Sequence, residues 1–210
     1  MPQPATLEWP AYEAHSRSEA MAYAALSRAW GANYEGTDVC AQAEALGLRC
    51  RTARGGLAEL RQFNRPVVLL MRDDKGREFL AVLIALEDKT ATFVIGAETR
   101  KVAFGALAVQ WAGQYSLLWR MAPQAHENIR LGERGPAVQW LINQLAQAQG
   151  QIAEPGKAPL FDDALARQVK QFQLAQGLIP DGLVGPQTLM RLTSVGDPSA
   201  PELLPRQEGR

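Results

Sequence analysis

From Ser18 to Trp30, alanine, methionine, tyrosine and leucine recur at helical spacing behind a serine placed to cap, which predicts an amphipathic helix ended by Gly31. Thr37 or Asp38 is placed to cap a second helix running through Cys40, Ala43 and Leu46, which Gly47 stops; Leu57 to Phe63 reads as a short third. The period then changes. Pro66 to Met71 is a compact apolar run ended by Asp73-Asp74-Lys75-Gly76, and Phe79 to Leu86, Ala91 to Ile95 and Lys101 to Phe104 follow, separated by charged turns such as Glu87-Asp88-Lys89. That rhythm predicts an antiparallel meander. Its central runs are almost wholly apolar, so both faces need cover, and the preceding helices are the nearest source. Phe104 to Trp111 reads as a helical excursion and Tyr115 to Trp119 as a final strand, which makes residues 8–121 an α+β domain with an antiparallel sheet.

After the connector Met121-Ala122-Pro123-Gln124-Ala125 the strand signal disappears. Pro136 is suited to the first turn of a helix, where its missing N–H costs nothing, and Val138, Leu141, Ile142 and Leu145 then fall on one face up to Gly150. A loop with Pro155, Gly156 and Pro159 leads to a second helix over Asp162–Gln176, with Leu165, Val169 and Phe172 at spacings of four and three; Gly177 ends it. Gly185-Pro186 followed by Leu189 and Leu192 repeats the design of Gly135-Pro136 followed by Val138 and Leu141. A three-helix unit over 127–193 follows. A core this small is marginal, so Leu131, Val138, Leu141, Leu145, Phe161, Val169, Phe172, Leu178, Val184 and Leu189 are all expected in packing. Residues 194–210, rich in Pro and Gly, read as a disordered tail.

Composition narrows the field by exclusion. The 210 residues carry 22 basic and 22 acidic side chains, so electrostatics gives no reason to expect nucleic acid or an anionic membrane as partner. No apolar run reaches the ~18 residues of a membrane span. The N-terminus Met1-Pro2-Gln3-Pro4-Ala5 lacks the basic and apolar regions of a signal peptide, which puts any export or membrane-anchoring signal outside this chain. Cys40 and Cys50 lack the spacing of a metal site, and only His15 and His126 could assist them. A disulfide is the preferred reading, because a helix followed by a strand can fold back across ten positions; two unrelated buried thiols are the alternative. The bond favours an oxidising compartment. No cofactor and no metal are expected.

The helical segment also carries a resemblance. Gly132, Gly135, Val138, Leu141, Leu145, Phe161-Asp162, Val169, Phe172-Gln173, Gly177-Leu178, Asp181-Gly182 and Val184-Gly185-Pro186 with Thr188-Leu189 resemble the peptidoglycan-binding domain found at the ends of bacterial wall hydrolases. The pattern departs from the family at Asp162, Asp163 and Leu165. The resemblance implies a shallow surface of loops and helix ends that receives a glycan bearing peptides, and it makes Arg134, Gln139, Trp140, Phe161, Gln173, Asp181 and Gln187 the candidate contacts. An aromatic plate beside amide and carboxylate groups suits such a ligand. Each has a plainer alternative: Gln173 pinning the following turn, Trp140 packing beside the Val138–Leu141 stripe, Asp181-Gly182 serving as turn chemistry.

The N-terminal order, from Ala25 and Trp30-Gly31 through Pro66–Leu70, Phe79–Leu83, Ala91 to Ile95 and Trp111 to Trp119, resembles the papain-like C39 peptidase domain. That family opens its first helix with Cys, the strand matching Phe79–Leu83 with His, and follows the next strand with Asp. Here those places hold Arg17-Ser18, Glu78-Phe79 and Ile95-Gly96. A thiol protease needs a thiolate beside an oriented imidazole, and His15 and His126 sit on no strand edge. The combination resembles the periplasmic region of the general secretion pathway protein A family of type II secretion (the ExeA type). It implies a periplasmic, non-enzymatic chain that binds peptidoglycan and scaffolds secretin assembly with a GspB-type partner, in a full-length protein anchored in the inner membrane. A homo-oligomer stays open. Two other readings remain: a peptidoglycan-associated hydrolase or peptidase, and a protein–protein module that binds a peptide in the inactive protease cleft, with Trp30, Trp111, Trp119 and Tyr115 as available aromatics.

Overall fold

A computed structural model describes residues 6–36, 38–120, 128–153, 159–196 and 200–204, with no side chains described for 194–196. Thr37, His126, the connector after Arg120 and the loop around Pro155-Gly156 lie outside the described residues. The chain divides into two units, one of residues 1–119 with 201–210, the other of residues 120–200.

In the first unit a 3-10 turn over His15–Arg17 runs straight into α1 (Ser18–Ala29). Ser18 is therefore the first helical residue rather than the expected cap, and no side chain caps this helix. Asp38 does cap α2 (Val39–Ala45), accepting from the Cys40 and Ala41 amides. Then come β1 (Leu48–Arg54), α3 (Leu57–Phe63), β2 (Val67–Arg72), β3 (Glu78–Leu86), β4 (Thr90–Ile95), β5 (Glu98–Ala103), α4 (Phe104–Gln110) and β6 (Trp111–Arg120). The sheet order is β1-β6-β2-β3-β4-β5. The meander β2 to β5 is antiparallel throughout. The last strand does not extend it. β6 returns to pair with the opposite side of β2, and β1 flanks it at the edge. At that edge two glycines replace side chains with backbone: the Gly55 amide donates to Gly113 O at 3.0 Å, and a Cβ on Gly113, at φ +90°, would lie 2.9 Å from the Gly55 carbonyl oxygen.

Alternation along β2 sends successive side chains to opposite faces. Val68 joins Ala22, Ala25, Leu26, Ala43, Leu48, Val82 and Leu118 beneath α1 and α2. Leu69, Met71, Phe79, Tyr115 and Leu117 on the other face are also fully buried, and there Trp9 meets Phe79 while Phe63 meets Tyr115. Trp119 is buried with Tyr115, whereas Trp30 and Trp111 are half-exposed. The Cys40–Cys50 disulfide joins α2 to β1, with Cα atoms 5.0 Å apart.

Part of the expected disordered tail belongs to this fold, a correction for residues 200–204. Leu203 is buried, its carbonyl accepts from the Leu86 amide at 2.7 Å, and the Asn64 carboxamide oxygen accepts from the Leu203 and Leu204 amides at 3.1 and 2.8 Å. Arg65, also buried, donates to Pro201 O at 3.1 Å. Asn64 can turn its amide to this task because it ends α3 in the left-handed conformation, φ 52°, where Asn is tolerated better than other non-glycine residues.

The second unit contains α5 (Pro136–Ala148), α6 (Asp163–Ala175) and α7 (Pro186–Gly196) around one core of Ile129, Val138, Leu141, Leu145, Phe161, Leu165, Val169, Phe172, Val184, Leu189 and Leu192. Leu131, expected in the core, is mostly exposed.

Two stability measurements check this architecture. Asn64→Gly keeps the left-handed corner accessible but removes the acceptor for two amides, and is expected to cost the first unit about 1–2 kcal/mol in urea unfolding, with Asn64→Ala about 1 kcal/mol worse. Reducing the Cys40–Cys50 bond should cost about 2–3 kcal/mol by freeing a short loop in the unfolded chain.

Candidate functional site

The second unit is held together by its loops. Residues 128–134 stitch the starts of two helices: Ile129 pairs with Val184 before α7, the Gly132 amide donates to Phe161 O at 2.8 Å, and the Phe161 amide donates to Glu133 O at 2.9 Å before α6. The positions that depart from the family pattern are accommodated as structure. Asp162 caps α6, its carboxylate accepting from the Leu165 amide at 2.8 Å, and the Leu165 side chain enters the core.

Gln173 is the polar centre of the unit. It is 2% exposed, and its Nε2 donates to Asp181 Oδ1, Leu183 O and Thr188 Oγ1 at 2.9, 2.9 and 3.0 Å, while its Oε1 accepts from the Gly182 amide at 2.8 Å. The two N–H donors are thereby shared among three acceptors, and the carboxamide oxygen holds the Gly182 amide. Asp181 Oδ1 also accepts from the Leu183 amide, closing an Asx-type turn. Gly182 sits at φ +79° with a would-be Cβ 2.9 Å from the Lys170 side chain, so this corner admits only glycine without displacing a neighbour.

These bonds sort the candidate contacts. Phe161 is 1% exposed, so the aromatic plate expected there is not presented; its ring fills the core. Gln173 is likewise withdrawn, because its amide is committed to the Asp181–Thr188 turn. Trp140 is half-buried against the core, and Gln139 donates to Asn143 Oδ1 at 2.9 Å. Arg134, Asp181 and Gln187 are exposed. Arg134 stands beside Leu160, Asp181 is bonded to Gln173, and Gln187 opens the first turn of α7 next to Thr188. The exposed apolar side chains Leu174, Ile179 and Leu183 around the Gln173 turn were not singled out by sequence reasoning. Only the loop position of Ile179 and Leu183, and the place of Leu174 off the Leu165–Val169–Phe172 stripe of α6, could have separated them from core residues.

The first unit has a cleft of about 360 Å³ where α1 stops short of the sheet's end. It is lined by Ser18, Glu19 and Tyr23 of α1, by Leu70, Glu78, Phe79 and Leu80 of β2 and β3, and by Thr52, Gln114 and Ser116 of β1 and β6. Thr52 and Ser116 hydroxyls are 2.8 Å apart across β1 and β6. The structure thus brings together Ser18 and Glu78-Phe79, two of the places that the C39 pattern fills with catalytic groups. No cysteine or histidine lines the cleft among the described residues. Cys40 and Cys50 are consumed by their disulfide, and His15 packs on Trp9 with ring centroids 5.9 Å apart. Burial, reinforced by donation to Glu59 at 3.0 Å, pushes the Tyr115 phenol up to about 12, so this hydroxyl stays protonated at neutral pH.

Replacing Gln173 by Ala would strand the Gly182 amide and take one donor each from Asp181 and the Leu183 carbonyl, which keeps the Thr188 hydroxyl, and is expected to lower the helical unit's stability by about 2–4 kcal/mol, read as a loss of urea midpoint with an unchanged first-unit transition.

Comparison with known proteins follows the same division. Residues 134–192 match the family described as a putative peptidoglycan binding domain, and residues 13–121 match the family described as GspA, peptidase C39-like domain. The chain is 35% identical over 180 residues to general secretion pathway protein A of Aeromonas hydrophila, covering 85% of this chain and 32% of that protein. It is 28% identical over 162 residues to a putative general secretion pathway protein A of Escherichia coli K12, covering 77% and 32%. The chain therefore spans about a third of the length of these curated relatives. A periplasmic domain of the EpsAB fusion protein of the Vibrio vulnificus type II secretion system superposes with a TM-score of 0.57 at 26% identity, over 87% of this chain and 78% of that one. With just over half of its length in the first of these units, followed by the helical one, the chain belongs to the GspA C39-like domain family and carries a peptidoglycan-binding-type domain behind it.

Proposed function

We propose that this chain is a non-enzymatic, periplasmic wall-binding scaffold of type II secretion, whose helical unit holds peptidoglycan while its first unit offers a protein surface. The observation that carries this reading is the pairing, in one chain, of a peptidoglycan-binding-family unit with a C39-like cleft lined by neither thiol nor imidazole among the described residues. Without a nucleophile and an oriented base, acyl transfer has no starting point there. The relatives named for general secretion, and the EpsAB domain described as periplasmic, support the compartment and the pathway. The Cys40–Cys50 disulfide fits an oxidising compartment. By the same extension the chain would act beside a GspB-type partner in placing the secretin, within a protein anchored in the inner membrane.

For the wall contact itself, Arg134, Asp181 and Gln187 are the exposed polar groups, with Gln139 and Trp140 half-exposed on α5. A guanidinium and an amide can meet the carboxylates and amides of wall peptides, and the Trp140 edge can pack on a sugar ring.

Co-sedimentation of the full chain with purified sacculi tests the reading. Arg134→Ala and Gln187→Ala are each expected to weaken retention about fivefold, the worth of about 1 kcal/mol of hydrogen bonding, with helical content unchanged. Equal soluble fractions of the unaltered chain with and without sacculi would overturn wall binding. Release of soluble muropeptides, or cleavage of a peptide library, would overturn the non-enzymatic assignment.

A further inference from the structure

The first turns of α1 stand between two hollows of the first unit. On one side is the cleft over Leu70 and Leu80; on the other is a hollow of about 530 Å³ bounded by Ser16, Tyr34, Asp38 and Cys40. Glu19 and Tyr23, one helical turn apart, line both, so the two hollows make a single groove across the helix start. Each half lies within the size range of ligand and peptide sites.

The charges of this groove have one sign. Glu19, Glu78 and Asp38 line it, and no lysine, arginine or histidine does among the described residues. Two of the three carboxylates are already engaged. Glu78 pairs with Arg72 at 2.8 Å, and Asp38 accepts from the first amides of α2. Glu19 is exposed and forms no ion pair among the described residues. Next to it the Tyr23 and Tyr34 rings stand 6.1 Å apart. Burial first, and then the charges of Glu19, Tyr23 and Asp38, push the Tyr34 phenol up.

A second observation points to a ligand rather than to a solvated acidic face. Ser18 is 9% exposed, lines the cleft, and its hydroxyl has no hydrogen-bond partner among the described residues. That hydroxyl is open to the cleft, where a donor or acceptor on a ligand can reach it. The Leu70 and Leu80 side chains, cross-strand partners left half-covered where α1 begins, offer an apolar floor beside it.

We propose that this groove binds an exposed lysine- or arginine-bearing peptide segment of a protein partner, with the cation seated between Glu19 and the Tyr23–Tyr34 pair. The aromatic faces and the unpaired carboxylate both favour a cation. Its methylene stem lies on Leu70 and Leu80, in the way long basic side chains cover apolar surface. Ser18, Thr52 and Gln114 supply hydrogen bonds to the peptide backbone. This function is independent of wall binding, since every residue named belongs to the first unit.

Amide chemical-shift titration of the full chain tests it, using a capped heptapeptide of lysine, leucine, serine and glycine and the same peptide with each lysine replaced by glutamate. The lysine peptide is expected to shift Ser18, Glu19, Tyr23 and Thr52, and the glutamate peptide to leave them in place. Glu19→Lys should weaken binding about tenfold and Glu19→Gln by less, whereas Glu8→Lys, at an exposed site outside the groove, should leave it unchanged. Equal response to both peptides, shifts that map elsewhere, no shifts at millimolar peptide, or an equal loss from Glu8→Lys would each overturn the proposal. Sacculus retention of Glu19→Lys should match the unaltered chain; a parallel loss there would overturn the separation of this groove from wall contact.

Discussion

The organising constraint of the first unit is that its central strands are buried on both faces. Val67, Val68, Leu69 and Met71 of β2 and Phe79, Ala81, Val82 and Leu83 of β3 are all inaccessible, so neither face can be left to water. Buried apolar side chains of this size are each worth roughly 1.5–3 kcal/mol, and an uncovered face would forfeit several of them together. The surrounding elements follow from that demand: α1 and α2 on one side, Trp9 and α3 on the other, β6 and β1 completing the sheet where β2 would otherwise present an edge. At the cleft this cover stops short, over Leu70 and Leu80. Ser18, Glu19 and Glu78 line it.

The helical unit solves a different problem. It is too small to rely on apolar area alone, so its loops are fixed by polar geometry centred on Gln173. Withdrawing that side chain from the surface leaves the turn rigid, and the exposed Asp181 and Gln187 are presented from it. A surface made of rigid loop ends loses little freedom when it meets a ligand.

Much of this was legible from spacing. The three helices of the second unit, the meander from β2 to β5 and the helices α1 to α3 all follow apolar periods bounded by Gly, Pro or Asp, because local period and cap chemistry were sufficient. β1 was harder to delimit: its alternation, Leu48-Arg49-Cys50-Arg51, is brief and falls out of phase at Ala53-Arg54, and its partner β6 lies more than fifty residues away. The return of β6 beside β2 is equally non-local. The resemblance to a binding family named a surface, but it could not separate residues that touch ligand from residues that build the loops. Phe161 and Gln173 belong to the second kind, since burial and hydrogen-bond partners are properties of the assembled core. Residues 200–204 were misread for the same reason: their Pro-rich composition is that of a tail, and what orders them is Asn64, far away in sequence.

The docking of Leu203 on Asn64 and Leu86 has a consequence for how the chain is made. The sheet-bearing unit is interrupted in sequence: it breaks off after β6 and resumes only beyond α7. A ribosome delivers the whole helical unit before the residues that finish the sheet-bearing one, so the usual order, in which the upstream domain completes itself first, cannot hold in full. Until Leu203 emerges, Asn64 presents an unused acceptor, and the Leu86 amide lacks the carbonyl it will bond. The last step in forming the first unit is therefore taken by residues synthesised after the second.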